Sequence, residues 1–252
     1  MTWLLTLAFD GTEYCGFQVQ PNGRSVAAAF QDGLEAVIGC RPDIKGCSRT
    51  DAGVHALGFA LSFEADLRIP PEKLPLALNT KLPRDIRVLK ARVVPDGFHA
   101  RYAAHTKTYL YRIRNSPIDS PFEERYYCRI PGRLDVERMQ RAAAHFVGTH
   151  DFLALCAAHS SAAAHGDTVR TITACGAERH GDTVEITVTA DGYLYNMVRI
   201  LAGTLCEAGA GRLDPEAVPA ILASRDRRLA GPTLPAKGLF LHHVDYGKEA
   251  EG

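Results

Sequence analysis

The stretch CSRTDAGVHA (47–56) places Arg49 two residues before Asp51 and Gly53 two residues after it. An aspartate in a glycine-bearing loop commonly shapes a turn. An aspartate beside a guanidinium is also held ionised, because a nearby positive charge favours the charged form. The spacing admits both readings: a turn residue, or a carboxylate kept for chemistry. His55 lies four residues after Asp51, as in a pair of metal ligands, but Gly53 between them disfavours a helix and no third ligand is near in sequence. A second constellation is TKTYLYRIR (106–114), whose alternation puts Lys107, Tyr109, Tyr111 and Ile113 on one strand face. Two such tyrosines stack on nucleobases in RNA-binding sheets, or fill a core. A third is YLYNMVRILAGTL (193–205). Leu194, Val198, Leu201 and Leu205 form its apolar stripe, and at 100° per residue Arg199 points away from it. Arg199 is therefore solvated, or directed into a cleft toward a carboxylate or phosphate.

Other chemistries find no support. There is no GxxxxGK[ST] phosphate loop, no GxGxxG after a strand and no GxSxG nucleophile elbow. His99, His150 and the His242-His243 pair lack ligand spacing and suit core, surface or hydrogen-bonded roles. The seven cysteines are scattered, odd in number and never in a CxxC pair, which argues against a disulfide framework and a zinc site. A carboxylate enzyme or a binding module remains, with neither metal nor cofactor expected.

These residues need positioning elements, and the pattern supplies them in two sets. WLLTLAFD (3–10) is a short apolar strand. Ser25 caps a helix with Val26, Phe30, Leu34, Val37 and Ile38 on one stripe, and Gly39 ends it. Strands are predicted at 58–65 and 85–94, with a helix over 70–79 between them. The second set has a strand at 106–114, a helix over 134–147 starting at Asp135, and a hairpin of 168–179 with 182–191 around His180-Gly181. A helix over 193–208, a capped helix from Asp214-Pro215 and a strand at 238–246 complete it. The expected fold is α/β (α+β): two ferredoxin-like or RRM-like halves, 1–104 and 105–252, each an antiparallel sheet backed by helices. A cleft between halves is the default place for a site. The first half carries the Asp51 loop, the second the tyrosine strand and the Arg199 helix. AAHSSAAAHGD (157–167) is low in complexity and reads as a mobile loop.

The chain has 252 residues, no apolar run long enough to span a bilayer, and an N-terminus unlike a signal peptide, so a soluble cytoplasmic protein is expected. Net charge is zero, which taken alone argues mildly against a nucleic-acid partner. The basic residues are nonetheless lopsided, 22 Arg against 7 Lys, and arginine is the better phosphate fork and base-stacking cation. GC-rich coding bias gives the same excess.

FDGTEYCGFQVQ (9–20), SRTDAGVHA (48–56), FHARYAAHTKTYLYRI (98–113), DVERMQRAAAHFVGTHDF (135–152), LYNMVRILAGTL (194–205) and AKGLFLHHVDY (236–246), in that order, resemble the tRNA pseudouridine synthase A family over nearly the whole chain. RTDAGVHA is the most specific of the six. By that resemblance Asp51 matches the catalytic aspartate, and Arg49 the loop arginine beside the target nucleotide. Tyr109 matches the tyrosine packed on the target base, and Arg199 the arginine paired with the aspartate. Leu239 matches an apolar pocket residue, with Lys237 near it. The family isomerises uridine to pseudouridine at positions 38–40 of the tRNA anticodon arm, as a homodimer, without cofactor or metal. Phe17 stands where the family frequently has Trp. The intact Asp51, Tyr109 and Arg199 set argues against a catalytically silent RNA-binding module. A synthase with a different RNA target would be told apart by the positions it modifies.

Overall fold

Residues 1–21, 23–157 and 164–247 are described in the computed structural model of the chain. They form two units: residues 1–106 with 240–247, and residues 107–239.

The first unit is built on β1 (Thr2–Phe9), an apolar strand paired antiparallel with β3 (His55–Glu64) on one side and β4 (Ile86–Val94) on the other. Leu5 opposes Leu61 and Leu7 opposes Phe59 across the β1–β3 ladder. The two-residue strand β2 (Lys45–Gly46) adds to β3. Helix α1 (Val26–Ile38) starts where the Ser25 side chain accepts from the Ala28 N–H, and ends at Gly39 in left-handed backbone, φ 76°. It buries Val26, Phe30 and Leu34, three of the five stripe residues expected to face inward. Helix α2 (Leu74–Asn79) is shorter than the predicted 70–79, because Pro70 and Pro71 open a turn ahead of it. Trp3, Phe30, Phe59 and Phe63 are the large side chains of this core.

The second unit centres on β5 (Thr106–Arg114), with its residues from Lys107 onward, and β9 (Thr183–Ala190), paired antiparallel with Tyr109 opposite Val188 and Tyr111 opposite Ile186. β8 (Val169–His180) forms the predicted hairpin with β9, turning at Gly181 in left-handed backbone. β7 (Gly148–Asp151) pairs with β8, and the short β6 (Cys128–Arg129) pairs with β5. Helix α3 (Val136–Ala144) is capped by the Asp135 side chain, as its sequence predicts. Helix α4 (Met197–Gly209) is buried almost all round, with only Arg199 and Glu207 partly exposed. A helix of that kind sits inside a core. Helix α5 (Val218–Ser224) follows a 3₁₀ turn at Pro215–Ala217 capped by Asp214.

The last strand, β10 (Leu239–Asp245), runs parallel to β3, with Phe240 opposite His55 and Leu241 opposite Ala56. Sequence order attaches it to the second half, yet residues from Phe240 on group with the first unit. A parallel pair needs a crossover connection, and here a long stretch of chain supplies it. Of the Ala- and His-rich stretch 157–167, residues 158–163 lie outside the described residues.

Candidate active site

In the first unit, Asp51 opens a tight turn. The Val54 N–H donates to the Asp51 carbonyl at 3.2 Å, and Gly53 takes left-handed backbone, φ 76°. Asp51 is thus a turn residue by its main chain. The turn is closed by its carbonyl and does not require its carboxylate. Asp51 is partly buried, while Arg49 in the same loop is exposed. Thr50, between them, is buried, and its hydroxyl has no hydrogen-bond partner among the described residues.

The preceding FDGTEYCG segment braces this turn. The Phe17 N–H donates to the Thr50 carbonyl, and the Gly53 N–H to the Tyr14 carbonyl, both at 3.2 Å. Gly16 has φ 102°, and a Cβ there would lie 2.4 Å from the Thr50 oxygen, so only glycine permits this approach. A Cβ on Gly11 would lie 2.0 Å from the Val54 oxygen. The Gly11 N–H donates to His55 Nδ1 at 3.0 Å. His55 is 1% exposed and stacks on Phe240 with ring centroids 4.7 Å apart. It is therefore a core histidine. Asp10 Oδ1 lies 3.2 Å from the same Nδ1. Since Nδ1 accepts from Gly11, the Asp10 contact is no ion pair in that tautomer. Among the described residues no group of three or more His, Cys, Asp or Glu is arranged to hold a metal ion. Phe17 stacks on Phe59 with ring centroids 4.3 Å apart. Tyr14 donates to Asp85 Oδ1 at 2.6 Å, and burial together with that bond raises its phenol well above the ordinary range.

In the second unit, Tyr109 is 6% exposed on the buried face of β5 with Lys107, Tyr111 and Ile113, as alternation predicts. Its ring meets Tyr193 edge-on, centroids 4.9 Å apart at 84°. The Tyr193 hydroxyl reaches the carbonyls of Lys107 at 2.7 Å and Val188 at 2.8 Å, tying its ring to β5 and β9.

Helix α4 starts at Met197, later than the predicted 193, because Asn196 has φ 61° and ψ 7°. A left-handed residue cannot lie inside a right-handed helix. Arg199 is one turn in. Its Nε donates to the Leu234 carbonyl at 2.6 Å and its Nη1 to Asn196 Oδ1 at 2.8 Å. The segment 231–235 lies against α4 and β5. The Gly231 N–H donates to Thr204 Oγ1 at 2.9 Å, the Leu234 N–H to the Arg199 carbonyl at 3.3 Å, and the Tyr111 hydroxyl to the Pro235 carbonyl at 2.7 Å. Leu239, 5% exposed, follows Gly238, where a Cβ would lie 2.8 Å from the Arg112 oxygen. The Lys237 ammonium is bound to the Glu124 carboxylate.

Arg49 and Asp51 therefore share one loop of the first unit, and Tyr109, Arg199, Lys237 and Leu239 belong to the second. Sequence reasoning passed over Asn196 and the 231–235 segment. Asn directly before an apolar helical run is a helix-start signal that marks the first. The second has no periodicity to betray it.

The first unit thus carries a carboxylate on a braced turn, and the second carries a buried tyrosine and a hydrogen-bonded guanidinium. A family model described as tRNA pseudouridine synthase matches residues 6–103 and 142–247. The chain belongs to the tRNA pseudouridine synthase family. It is 46% identical over 244 residues to the tRNA pseudouridine synthase A of Moorella thermoacetica, covering 96% of this chain and 98% of that one. It is 44% identical over 243 residues to the protein of the same name from Shouchella clausii, with 96% and 92% covered. With that of Bacillus pumilus the identity is 42% over 245 residues, with 96% and 97% covered. Among the described residues no helix is long and apolar enough to cross a membrane.

Proposed function

We propose that this chain isomerises uridine to pseudouridine at positions 38–40 of the tRNA anticodon arm, acting in the cytoplasm as a homodimer. The observation that carries the reading is the Asp51 turn. Gly16 and Gly11 press the backbone of a second segment against it, and its carbonyl, at 3.2 Å from the Val54 N–H, makes the turn. A loop this constrained fixes the backbone from which the Asp51 carboxylate projects, as positioning of a reacting group requires.

The isomerisation breaks the N1–C1′ bond, turns the detached uracil and joins C5 to C1′. Asp51 attacks C1′ or removes the 2′ proton, and both roles need it ionised at neutral pH. Arg199 supplies the positive charge that keeps it so. Tyr109 packs on the base and takes the C5 proton directly or through water, and Leu239 lines the base pocket. A uridine in a stem is reached only by flipping, at about a few kcal/mol, and Arg49 holds the flipped nucleotide or fills its place.

The test is incubation with an unmodified tRNA transcript, with EDTA and no cofactor, followed by nucleotide-resolved mass spectrometry. Pseudouridine is expected at positions 38–40 with the parent protein. It should be absent with Asp51→Asn, which still binds the transcript. Tyr109→Phe keeps the packing and loses the hydroxyl, so it should slow turnover and leave KM near the parent value. Normal turnover by Asp51→Asn would overturn the catalytic assignment.

A further inference from the structure

Asn196 occupies a position where its residue type normally does one job, and here it does another. Asparagine is among the strongest helix N-caps because its side-chain oxygen accepts a backbone N–H of the first turn. Ser25, Asp135, Asp214 and Asp226 all cap in this chain by that bond. Asn196 precedes α4 yet makes no such bond. Its backbone is left-handed, φ 61°, one of only two non-glycine residues with positive φ among those described. Its Oδ1 instead accepts from Arg199 Nη1 at 2.8 Å. Uncommon backbone and a forgone cap both cost stability, and both are explained by one contact.

That contact completes a clamp. Leu234 holds Arg199 Nε at 2.6 Å, and Asn196 holds Nη1 at 2.8 Å. Two bonds to two different nitrogens of a planar fork fix its plane as well as its position. Leu234 is itself held, because its N–H donates to the Arg199 carbonyl and Gly231 is bonded to Thr204 of the same helix.

We infer that Asn196 is a positioning residue for the reaction, acting through Arg199 by fixing the plane of its guanidinium. The inference rests on the role proposed for Arg199. Asn196→Gly is the test, because glycine accepts left-handed backbone without strain and serves adequately at an N-cap. The variant should stay folded, melting within a few degrees of the parent. Its kcat should fall about 10- to 100-fold, the effect of one lost bond to a charged group, with KM for the tRNA transcript little changed.

A double-mutant cycle with Arg199→Ala separates positioning from general structure. If Asn196 acts only through Arg199, adding Asn196→Gly to Arg199→Ala changes kcat less than about twofold. Multiplying losses, or full kcat in Asn196→Gly alone, would overturn the inference while leaving the role of Arg199 intact. Full activity in Arg199→Ala would instead sink the role proposed for Arg199, and the inference with it. A readout independent of turnover is the Arg199 Nε–H resonance, slow to exchange in the parent and faster in Asn196→Gly. An unchanged resonance also counts against the clamp.

Discussion

Thr50 is one of the described residues with a buried side-chain polar atom that lacks a hydrogen-bond partner. It is 6% exposed, and its hydroxyl is buried without a partner, one residue from Asp51. A buried polar group in that state costs about 1–3 kcal/mol. Thr50→Val removes the hydroxyl with little change of shape, so its unfolding free energy should rise by about 1 kcal/mol, measured by urea denaturation. A fall would mean that the hydroxyl is bonded in solution, to water or to a rotated neighbour. Asp51 shows how far residue-level reading goes. Its turn reading holds for the main chain, whose carbonyl accepts the Val54 N–H, while the chemical reading of its carboxylate belongs to the proposed function. No spacing rule separates the two, because turn geometry belongs to the carbonyl and the proposed chemistry to the carboxylate.

At the scale of elements, periodicity and caps located most of the structure. β5 occupies the predicted 106–114, α1 starts at Ser25 and ends at Gly39, and the β8–β9 hairpin turns at Gly181. Several features escaped, including the short strands β2, β6 and β7, and three others are instructive. The start of α4 moved by several residues because Asn196 adopts left-handed backbone, which sequence marks only weakly. The α2 start moved because consecutive prolines formed a turn where one proline would have begun a helix. The Gly231–Pro235 segment carries no pattern at all, since its contacts with α4 and β5 run through main-chain groups. That segment is testable at Gly203. A Cβ there would lie 1.9 Å from the Pro232 oxygen, which is backbone and cannot swing aside. Gly203→Ala should push the segment off α4, lower stability by about 1–3 kcal/mol as overpacking does, and loosen the Leu234 hold on Arg199. Thermal melts and kcat measured together would check both effects. A loss of stability with unchanged kcat would show that the segment supports the fold without supporting the reaction.

For the whole molecule, the arginine excess has a partly local explanation. Arg41, Arg112, Arg170, Arg212, Arg225 and Arg228 each lie within 3.1 Å of a carboxylate oxygen. Such pairs, mostly exposed, contribute about 0–1 kcal/mol each. They pair six of the 22 arginines with carboxylates of the same unit. The first unit has its own long-range dependence. Phe240 is 4% exposed and covers His55, whose ring receives the Gly11 N–H beside the Asp51 turn. Phe240→Ala should lower the stability of the first unit by about 3–5 kcal/mol and reduce kcat with it, read by urea denaturation and turnover. Parent-like turnover in that variant would show that the turn stands without the aromatic lid.

The pairing of β10 with β3 also sets an order of events during synthesis. A ribosome delivers β3 early and β10 late, with residues 107–239 emerging in between. Residues 107–239 are therefore made in full while the first unit still lacks a strand. The nascent Asp51 loop waits without its Phe240 cover until that strand leaves the exit tunnel. A chain released too soon would carry every proposed catalytic residue and still lack the covered loop. The loop's Phe240 cover can therefore form only after translation has passed Leu241.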